Sequence, residues 1–292
     1  MGWLWGSFRV VLELCGILHD TGAPANRLNN IQWIEEEDLN DGNGNNMGNG
    51  NGHGIGKGRC GAFFDVDGCL LTATAALQAC FFLAWHTSLS RFLILMIMLP
   101  PLLPLLAVVD KFDRGRANRV VHLLCFAGVP RAHVARTMQL WLEHRLQWHT
   151  HAHVVRRLQW HLAQQHRVFL ISGSPLLTVG PLGRYWGVCA VGGTVSEMMG
   201  GKGGKANDTN TDASAGTLTG RVPRNGMVVG GVKAELLQLL AQQSCVDPSI
   251  SYAYGDHHSD IDILRCVGNP VATNPNAKLR RHALAHGWSI LE

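Results

Sequence analysis

The sequence predicts an α/β fold, because apolar, strand-like runs alternate with segments that have the apolar spacing of helices. Three of these runs, residues 62–64, 167–171 and 251–255, each end in polar residues. Open α/β sheets bind their ligands at the carboxyl ends of the strands. The order of the polar residues therefore suggests one site, although the sequence alone does not show that they meet.

Length and composition set broad limits on the protein. A chain of 292 residues suits one large domain or one domain that carries an insert. The formal net charge of +4 is too small to argue for a nucleic-acid partner, and we expect none. The eight cysteines are scattered without a CxxC pair, which favours reduced thiols in a cytoplasmic setting.

Two low-complexity tracts interrupt the chain. Residues 1–58 are expected to be an N-terminal extension, with a short amphipathic helix at 3–18 and a Gly/Asn-rich flexible linker at 35–57. The folded part is expected to start near Arg59. The second tract, 199–216, should lengthen the tip of a hairpin.

Residues 92–109 carry no charge and reach the ~18-residue minimum for a membrane span. Pro100, Pro101 and Pro104 argue against one straight helix, so a broken, re-entrant or surface-lying hairpin is expected. The alternative is a helix of a soluble core. Basic residues then dominate 110–167, a combination that is typical of contact with an anionic membrane surface, with a merely solvated basic face as the simpler alternative.

Four polar signals carry the chemistry. Asp65 and Asp67 point the same way if the chain stays extended, so they could hold a divalent cation or attack an electrophile. Ser172 and its glycine neighbour could bind an anion. Lys233 opens a helix, where a cation is unfavourable unless an anionic partner is near. Asp256 begins a second acidic pair. Each signal alone is also compatible with an ordinary turn or a surface lysine.

In this order the four signals resemble the four motifs of the haloacid dehalogenase superfamily, and the resemblance covers residues 60–292. The helical insert between the first two motifs is similar to that of subfamily IB. The resemblance implies a doubly wound, mainly parallel sheet. Its core would be 59–74 and 164–292, interrupted by the 199–216 insert, and its helical cap 75–163, with the apolar segment 92–109.

The resemblance also implies a phosphatase with named roles. Asp65 would be the nucleophile that forms an aspartyl-phosphate, and Asp67 the general acid and base. The phosphoryl oxygens would be bound by Ser172, Gly173 and Lys233.

Mg²⁺ is the cofactor that the resemblance implies. Its ligands would be Asp65, Asp256 and the backbone carbonyl of Asp67, with Asp260 orienting them. One position departs from the family pattern. Cys69 stands where the family usually has a threonine that helps to orient the nucleophile's loop, so slower turnover is expected.

The apolar run, Gly115-Arg116-Ala117 and residues 171–175 resemble type C phosphatidylglycerophosphatases. A lipid phosphate is therefore the expected substrate, and a cytoplasmic location that is peripheral or re-entrant at a membrane is the expected setting. Two alternatives stay open. One is a phosphoserine phosphatase-type enzyme for a phosphorylated small molecule, and the other is a catalytically weak phosphate-binding or membrane-interaction protein.

Overall fold

The computed structural model describes residues 32–35, 59–73, 75–112, 114–199, 216–223 and 226–292. The predicted helix at 3–18 lies outside these residues, as do nearly all of the linker and of the second low-complexity tract. The description below concerns the described residues alone.

The core is a seven-stranded sheet in the order β1-β4-β3-β2-β7-β8-β9. All neighbouring pairs are parallel except β1 with β4, which confirms the predicted doubly wound, mainly parallel fold. The strands are β1 Gln32–Glu35, β2 Gly61–Phe64, β3 Arg167–Pro175, β4 Ala190–Thr194, β5 Met198–Met199, β6 Thr217–Leu218, β7 Tyr252–Gly255, β8 Asn269–Thr273 and β9 Ser289–Leu291.

Helices cover both faces of the sheet. Five of the described helices lie between β2 and β3, and the first four are α1 Ala75–Thr87, α2 Leu89–Phe112, α3 Arg114–Phe126 and α4 Arg131–Arg145. The others are α5 Ala152–Ala163, α6 Leu176–Trp186, α7 Gly231–Gln243, α8 Ile261–Leu264 and α9 Ala277–His286, with short 3-10 helices at Leu146–Trp148, Pro248–Ile250 and His258–Asp260. The position of α1–α4 agrees with an inserted cap, whose limits at 75–163 stay a prediction.

The central strand β2 is buried on both faces, because its alternate side chains enter two different cores. Phe64 stacks on Tyr254 with ring centroids 4.2 Å apart and packs with residues of α5 and α6. Phe63 stacks on Phe169 at 4.8 Å and packs with residues of α7, α8 and α9. This packing fixes the register of the strand that leads into the first acidic motif.

The edge strand β1 corrects the prediction that the folded part starts near Arg59. Its four residues pair antiparallel with β4, with Trp33 opposite Gly192. A four-residue run beside an acidic and Asn/Gly-rich tract carries little strand signal of its own. Its β-structure depends on the unpaired edge that β4 offers, and its pairing covers that edge.

The apolar segment is also different from the prediction, because α2 runs unbroken through its three prolines and forms no hairpin. Each interior proline lacks an N–H donor, and its ring crowds the carbonyl of the previous turn, so the continuous helix must be stabilised by other contacts. Leu95, Leu99 and Leu106 are buried against side chains of α1 and α3, and this packing stabilises the helix.

Most of α2 nevertheless faces outward. The window Leu89–Val109 has a mean hydropathy of 2.6 and only 17% of it is buried. By length and composition this helix is able to cross a membrane, a test that helices of soluble cores also pass. Its exposed apolar residues include Leu93, Ile97 and Leu105.

The predicted hairpin forms between β5 and β6, with Met198 opposite Leu218. It also binds the turn between α3 and α4. The N–H of Gly128 donates to the carbonyl of Leu218 over 2.8 Å, and the N–H of Leu218 donates to the carbonyl of Val129 over 2.9 Å. Strand β6 is therefore bonded to the turn that joins two of the inserted helices.

His122 of α3 makes a second connection to this hairpin region. Its Nδ1 lies 3.1 Å from the carbonyl oxygen of Gly220, so Nδ1–H donates, and Nε2 lies 3.0 Å from Oγ of Ser196. The imidazole is buried, and this burial lowers the pKa of His122 to about 4, although the bond to Gly220 opposes the shift. His122 is therefore neutral at pH 7.

The lowered pKa of His122 predicts acid destabilisation. An unfolded histidine has a pKa of about 6.5. The unfolded state therefore binds more protons between pH 6.5 and 4, and stability falls as pH falls through that window, by up to about 3 kcal/mol. His122→Asn should lose part of this pH dependence, as measured by urea unfolding. Burial also lowers the pKa of His161, so some dependence should remain.

The exposed His144 provides the matched control for that measurement. His144→Asn should change the stability at pH 7 by less than about 0.5 kcal/mol, as expected for an exposed position. If the free energy of unfolding changed equally with pH in His122→Asn and in the wild type, the proposed effect of burying His122 would be contradicted.

Candidate active site

Asp65 follows β2 directly, at the carboxyl end of the central strand. Its N–H donates to the carbonyl of Tyr254 over 3.0 Å, which continues the pairing of β2 with β7 by one residue. Its carboxylate is almost completely buried. The core packing of the sheet therefore sets the position of this side chain.

Lys233 lies in the first turn of α7 and is also buried. Its Nζ donates to Oδ1 of Asp65 over 2.8 Å and to Oδ1 of Asp260 over 2.7 Å. Burial alone would lower the pKa of Lys233, but the carboxylates of Asp260 and Asp65 raise it above its usual value. The lysine is thus held as a cation between two buried carboxylates.

Asp67 contacts a different set of groups. Its Oδ2 accepts hydrogen bonds from the hydroxyls of Ser172, over 2.8 Å, and Ser174, over 2.7 Å. Ser174 was not among the predicted residues, although it stands two positions after Ser172 and so shares its side of an extended strand. Between the two serines, Gly173 accepts a hydrogen bond at its carbonyl from the hydroxyl of Thr194.

Asp256 and Asp260 follow β7, the neighbour of β2. Oxygen atoms of Asp65, Asp256 and Asp260 all lie within 4.8 Å of one another. Gly68 has φ +90°, and a Cβ there would overlap the Asp256 carboxylate, so glycine leaves room for this cluster. The donor set consists of oxygen atoms alone, which fits a hard divalent cation. The side chain of Asp67 is outside this group.

Burial has the largest effect on the pKa of Asp65. It raises the pKa of this carboxyl to about 6, with Lys233 opposing the rise and the negative charges of Asp260 and Asp67 adding to it. Burial of the ionised Asp65 carboxylate is costly, and its salt bridge with Lys233 offsets part of this cost. A further cation nearby would stabilise the ionised form.

Cys69 is buried beside the same loop. The hydroxyl of Thr273, at the end of β8, lies 3.0 Å from its Sγ. Burial and the charge of Asp65 raise the pKa of the Cys69 thiol well above its usual value, so the thiol is neutral. The thiol of Cys69, a weak hydrogen-bonding group, therefore occupies the position where the family resemblance leads us to expect a threonine hydroxyl.

The haloacid dehalogenase-like hydrolase family model matches residues 62–265, which contain all of these side chains except that of Thr273. The chain belongs to the haloacid dehalogenase-like hydrolase family. This confirms the family that the four motifs led us to expect.

Curated relatives match parts of this hydrolase. A Streptomyces azureus protein named inhibition of morphological differentiation protein is 44% identical over 77 residues, covering 26% of this chain and 27% of that protein. A Mycobacterium tuberculosis protein named phosphoserine phosphatase SerB1 is 31% identical over 133 residues, covering 45% of this chain and 38% of the relative. The chain thus matches well under half the length of either relative.

A solved structure agrees with the fold. The structure of a Bordetella pertussis Tohama I protein of unknown function superposes with a TM-score of 0.65 at 20% identity, covering 81% of this chain and 99% of that one. At this identity the likeness concerns the fold alone.

The structure brings the predicted residues together in two groups. Asp65, Lys233, Asp256 and Asp260 form a charged cluster, and Asp67 with Ser172 forms a neighbouring hydroxyl–carboxylate group. Sequence reasoning missed the contact of Thr273 with Cys69, because the two residues are far apart along the chain and no spacing connects them.

Removing the lysine tests the electrostatics of the charged cluster. Lys233→Met leaves the buried Asp65 and Asp260 carboxylates without their shared cation, which should cost about 3–5 kcal/mol of stability. Urea unfolding in buffer with a chelator measures the loss. Adding Asp260→Asn to Lys233→Met should restore part of it, since one uncompensated charge is removed.

Lys278 is exposed and serves as the control. Lys278→Met should change stability by less than about 0.5 kcal/mol. A Lys233→Met protein as stable as the wild type would show that the two carboxylates need no buried cation.

Proposed function

We propose that this hydrolase is a Mg²⁺-dependent phosphomonoester phosphatase that works through an aspartyl-phosphate on Asp65. The observation that carries the proposal is the convergence of Asp65, Lys233, Asp256 and Asp260 at the carboxyl end of the parallel sheet. A nucleophilic carboxylate, a fixed cation and a set of oxygen ligands are what phosphoryl transfer requires.

In the first step an oxygen of Asp65 attacks phosphorus and the bond to the ester oxygen breaks. The departing oxygen takes a proton from Asp67, and an alcohol leaves. The hydroxyls of Ser172 and Ser174 hold the Asp67 carboxyl in place, which favours an orientation toward the leaving group.

In the second step Asp67, now a carboxylate, accepts a proton from water. The water oxygen attacks phosphorus, and the bond between phosphorus and Asp65 breaks to release inorganic phosphate. Lys233 and Ser172 bind the phosphoryl oxygens while negative charge shifts among these oxygens. Hydrogen-bond donors fixed in a site that excludes water stabilise such charge strongly.

The oxygen atoms of Asp65, Asp256 and Asp260 fit a hard cation such as Mg²⁺. Asp65 and Asp256 would hold the ion, the backbone carbonyl of Asp67 would be a third ligand, and Asp260 would orient the group. When bound, the ion supplies positive charge against the phosphoryl oxygens. Its charge would also favour the ionised form of Asp65 and so oppose the rise in pKa that burial causes. The nucleophile and the cation therefore depend on each other.

The proposed substrate is a lipid phosphate of the phosphatidylglycerophosphate type, met at an anionic membrane surface. The exposed apolar face of α2 supports this part of the proposal, since a helix of mean hydropathy 2.6 that is only 17% buried leaves a large apolar surface in water. An interfacial helix of this kind places its apolar side in the boundary region of a bilayer.

A phosphoserine phosphatase-type reaction is the second candidate. The likeness to the Mycobacterium tuberculosis protein named phosphoserine phosphatase SerB1 supports it, over 45% of this chain. The two candidates share all of the chemistry above and differ in the alcohol that leaves.

Replacing the nucleophile tests the covalent mechanism. Asp65→Asn should keep its fold and lower phosphate release from a small aryl phosphate by at least about 10³-fold, because an amide oxygen is a poor nucleophile. Asp262→Asn, at an exposed carboxylate of α8, is the matched control and should retain wild-type rates. Turnover by Asp65→Asn, or by the wild type in excess chelator, would refute the mechanism.

Vesicle binding tests the membrane surface. The wild type should sediment with anionic vesicles, and a Leu93→Ser, Ile97→Ser, Leu105→Ser triple variant should stay in the supernatant. These three residues are exposed, whereas Leu95 and Leu99 support the core and are left unchanged. The loss should reach at least about tenfold in partitioning, since each buried CH₂ contributes about 0.8 kcal/mol.

Exposed apolar residues away from α2 control for general stickiness. A double variant Ile250→Ser, Leu284→Ser should sediment like the wild type. A wild-type protein that remains in the supernatant would remove the membrane from the proposal and leave the chemistry of the site untouched.

A further inference from the structure

A cavity of about 250 Å³ opens from the acidic site into the cap. One end is polar and is formed by Asp65, Asp67 and Lys233. The remaining walls come from one face of α1, from α3 and α4 of the cap, and from α6 of the core. A substrate whose phosphate lies at the polar end would therefore extend its alcohol portion between the cap and the core.

The walls beyond the polar end are mostly apolar. Those on α1 and α4 include Ala76, Ala79, Leu83, Met138, Trp141 and Leu142. Among the described residues that line this cavity, charge occurs only on Asp65, Asp67 and Lys233, and these bind one another or the serines. His122 also lines the wall and is neutral, because burial lowers its pKa to about 4.

We propose that this cavity binds an uncharged, apolar alcohol portion of the phosphate ester. It would favour alkyl or diacylglyceryl phosphates over amino-acid phosphates, and also over phosphatidylglycerophosphate itself, whose alcohol portion carries an anionic phosphodiester. The inference rests on the proposed function and names the substrate class of the same site. An amine or a carboxylate buried among these walls would lose its hydration without gaining a charged partner. Each methylene that enters the cavity should instead improve binding by about fourfold.

The cavity is separate from the exposed face of α2. The buried residues of α2 pack on α1 and α3, for example Leu95 and Leu99 near Ala84 and Leu124, and no described residue of α2 lines the cavity. Helices α1 and α3 therefore stand between the apolar exterior and the apolar interior. Substrate selection by the cavity can be measured without a membrane.

Ala79 is the position that tests the wall. It lies on the cavity face of α1, where a larger side chain would occupy space intended for the alcohol. Gln78 is its neighbour on the same helix, is exposed and does not line the cavity. Ala79→Leu and Gln78→Leu therefore introduce the same side chain on the two sides of one helix.

The experiment measures binding of methyl-, butyl- and octylphosphonate, which cannot be hydrolysed, by titration calorimetry with Mg²⁺. Affinity should rise at least about tenfold from methyl to butyl. The phosphonate analogue of phosphoserine should bind no better than methylphosphonate. Ala79→Leu should reduce the butyl-to-methyl ratio at least about tenfold, and Gln78→Leu should keep it. Ala76→Leu, on the same wall, replaces Ala79→Leu if that variant does not fold.

Hydrolysis of the matching phosphate esters separates this inference from the proposed function. If no ester is hydrolysed but the phosphonate ratios hold, the phosphatase proposal fails and the apolar cavity stands. Equal affinities along the series, or a preference for the phosphoserine analogue, would overturn the apolar cavity even with an active enzyme. Turnover of soluble octyl phosphate without turnover of vesicle-borne phosphatidylglycerophosphate would identify a soluble apolar ester as the substrate.

Discussion

The site depends on one interaction, the double salt bridge of Lys233 with Asp65 and Asp260. All three side chains are buried, so none is stable there without the others. Three separate parts of the chain must therefore arrive together, namely the end of β2, the first turn of α7 and the segment after β7. The same salt bridges therefore contribute to the stability of the fold and fix the positions of Asp65, Lys233 and Asp260.

Sheet geometry explains why these charges meet. Parallel strands end at the same edge of a sheet, and β2 lies between β3 and β7, so its polar end is flanked on both sides. The stacked rings of Phe64 and Tyr254 fix β2 against β7 one residue before Asp65. A slip of one residue would turn Asp65 away from Lys233 and would move Phe64 out of its core. The hydrophobic pattern thus specifies the register that places Asp65 beside Lys233.

Much of this arrangement could be predicted from sequence. Each polar strand end is a weak signal alone, but Asp65, Ser172, Lys233 and Asp256 follow one another in the order of the four family motifs. Features that arise from tertiary context could not be predicted in this way. Strand β1 exists because β4 leaves an edge open, and α2 continues through its prolines because α1 and α3 pack against it. The contact between Cys69 and Thr273 likewise depends on how two distant loops fold together.

The cap presents two apolar surfaces that α1 and α3 keep apart. The outer face of α2 is continuous and exposed, which suits a broad and unspecific surface such as a bilayer. The inner cavity is small and ends in charges, which suits one defined molecule. Helices α1, α2 and α3 share a buried core that includes Leu95, Leu99 and Leu124. A substrate ester that moved from the α2 surface to the cavity would therefore pass around α1 and α3 and not between them. The two proposed properties, docking at a surface and choice of substrate, therefore involve different residues of one cap.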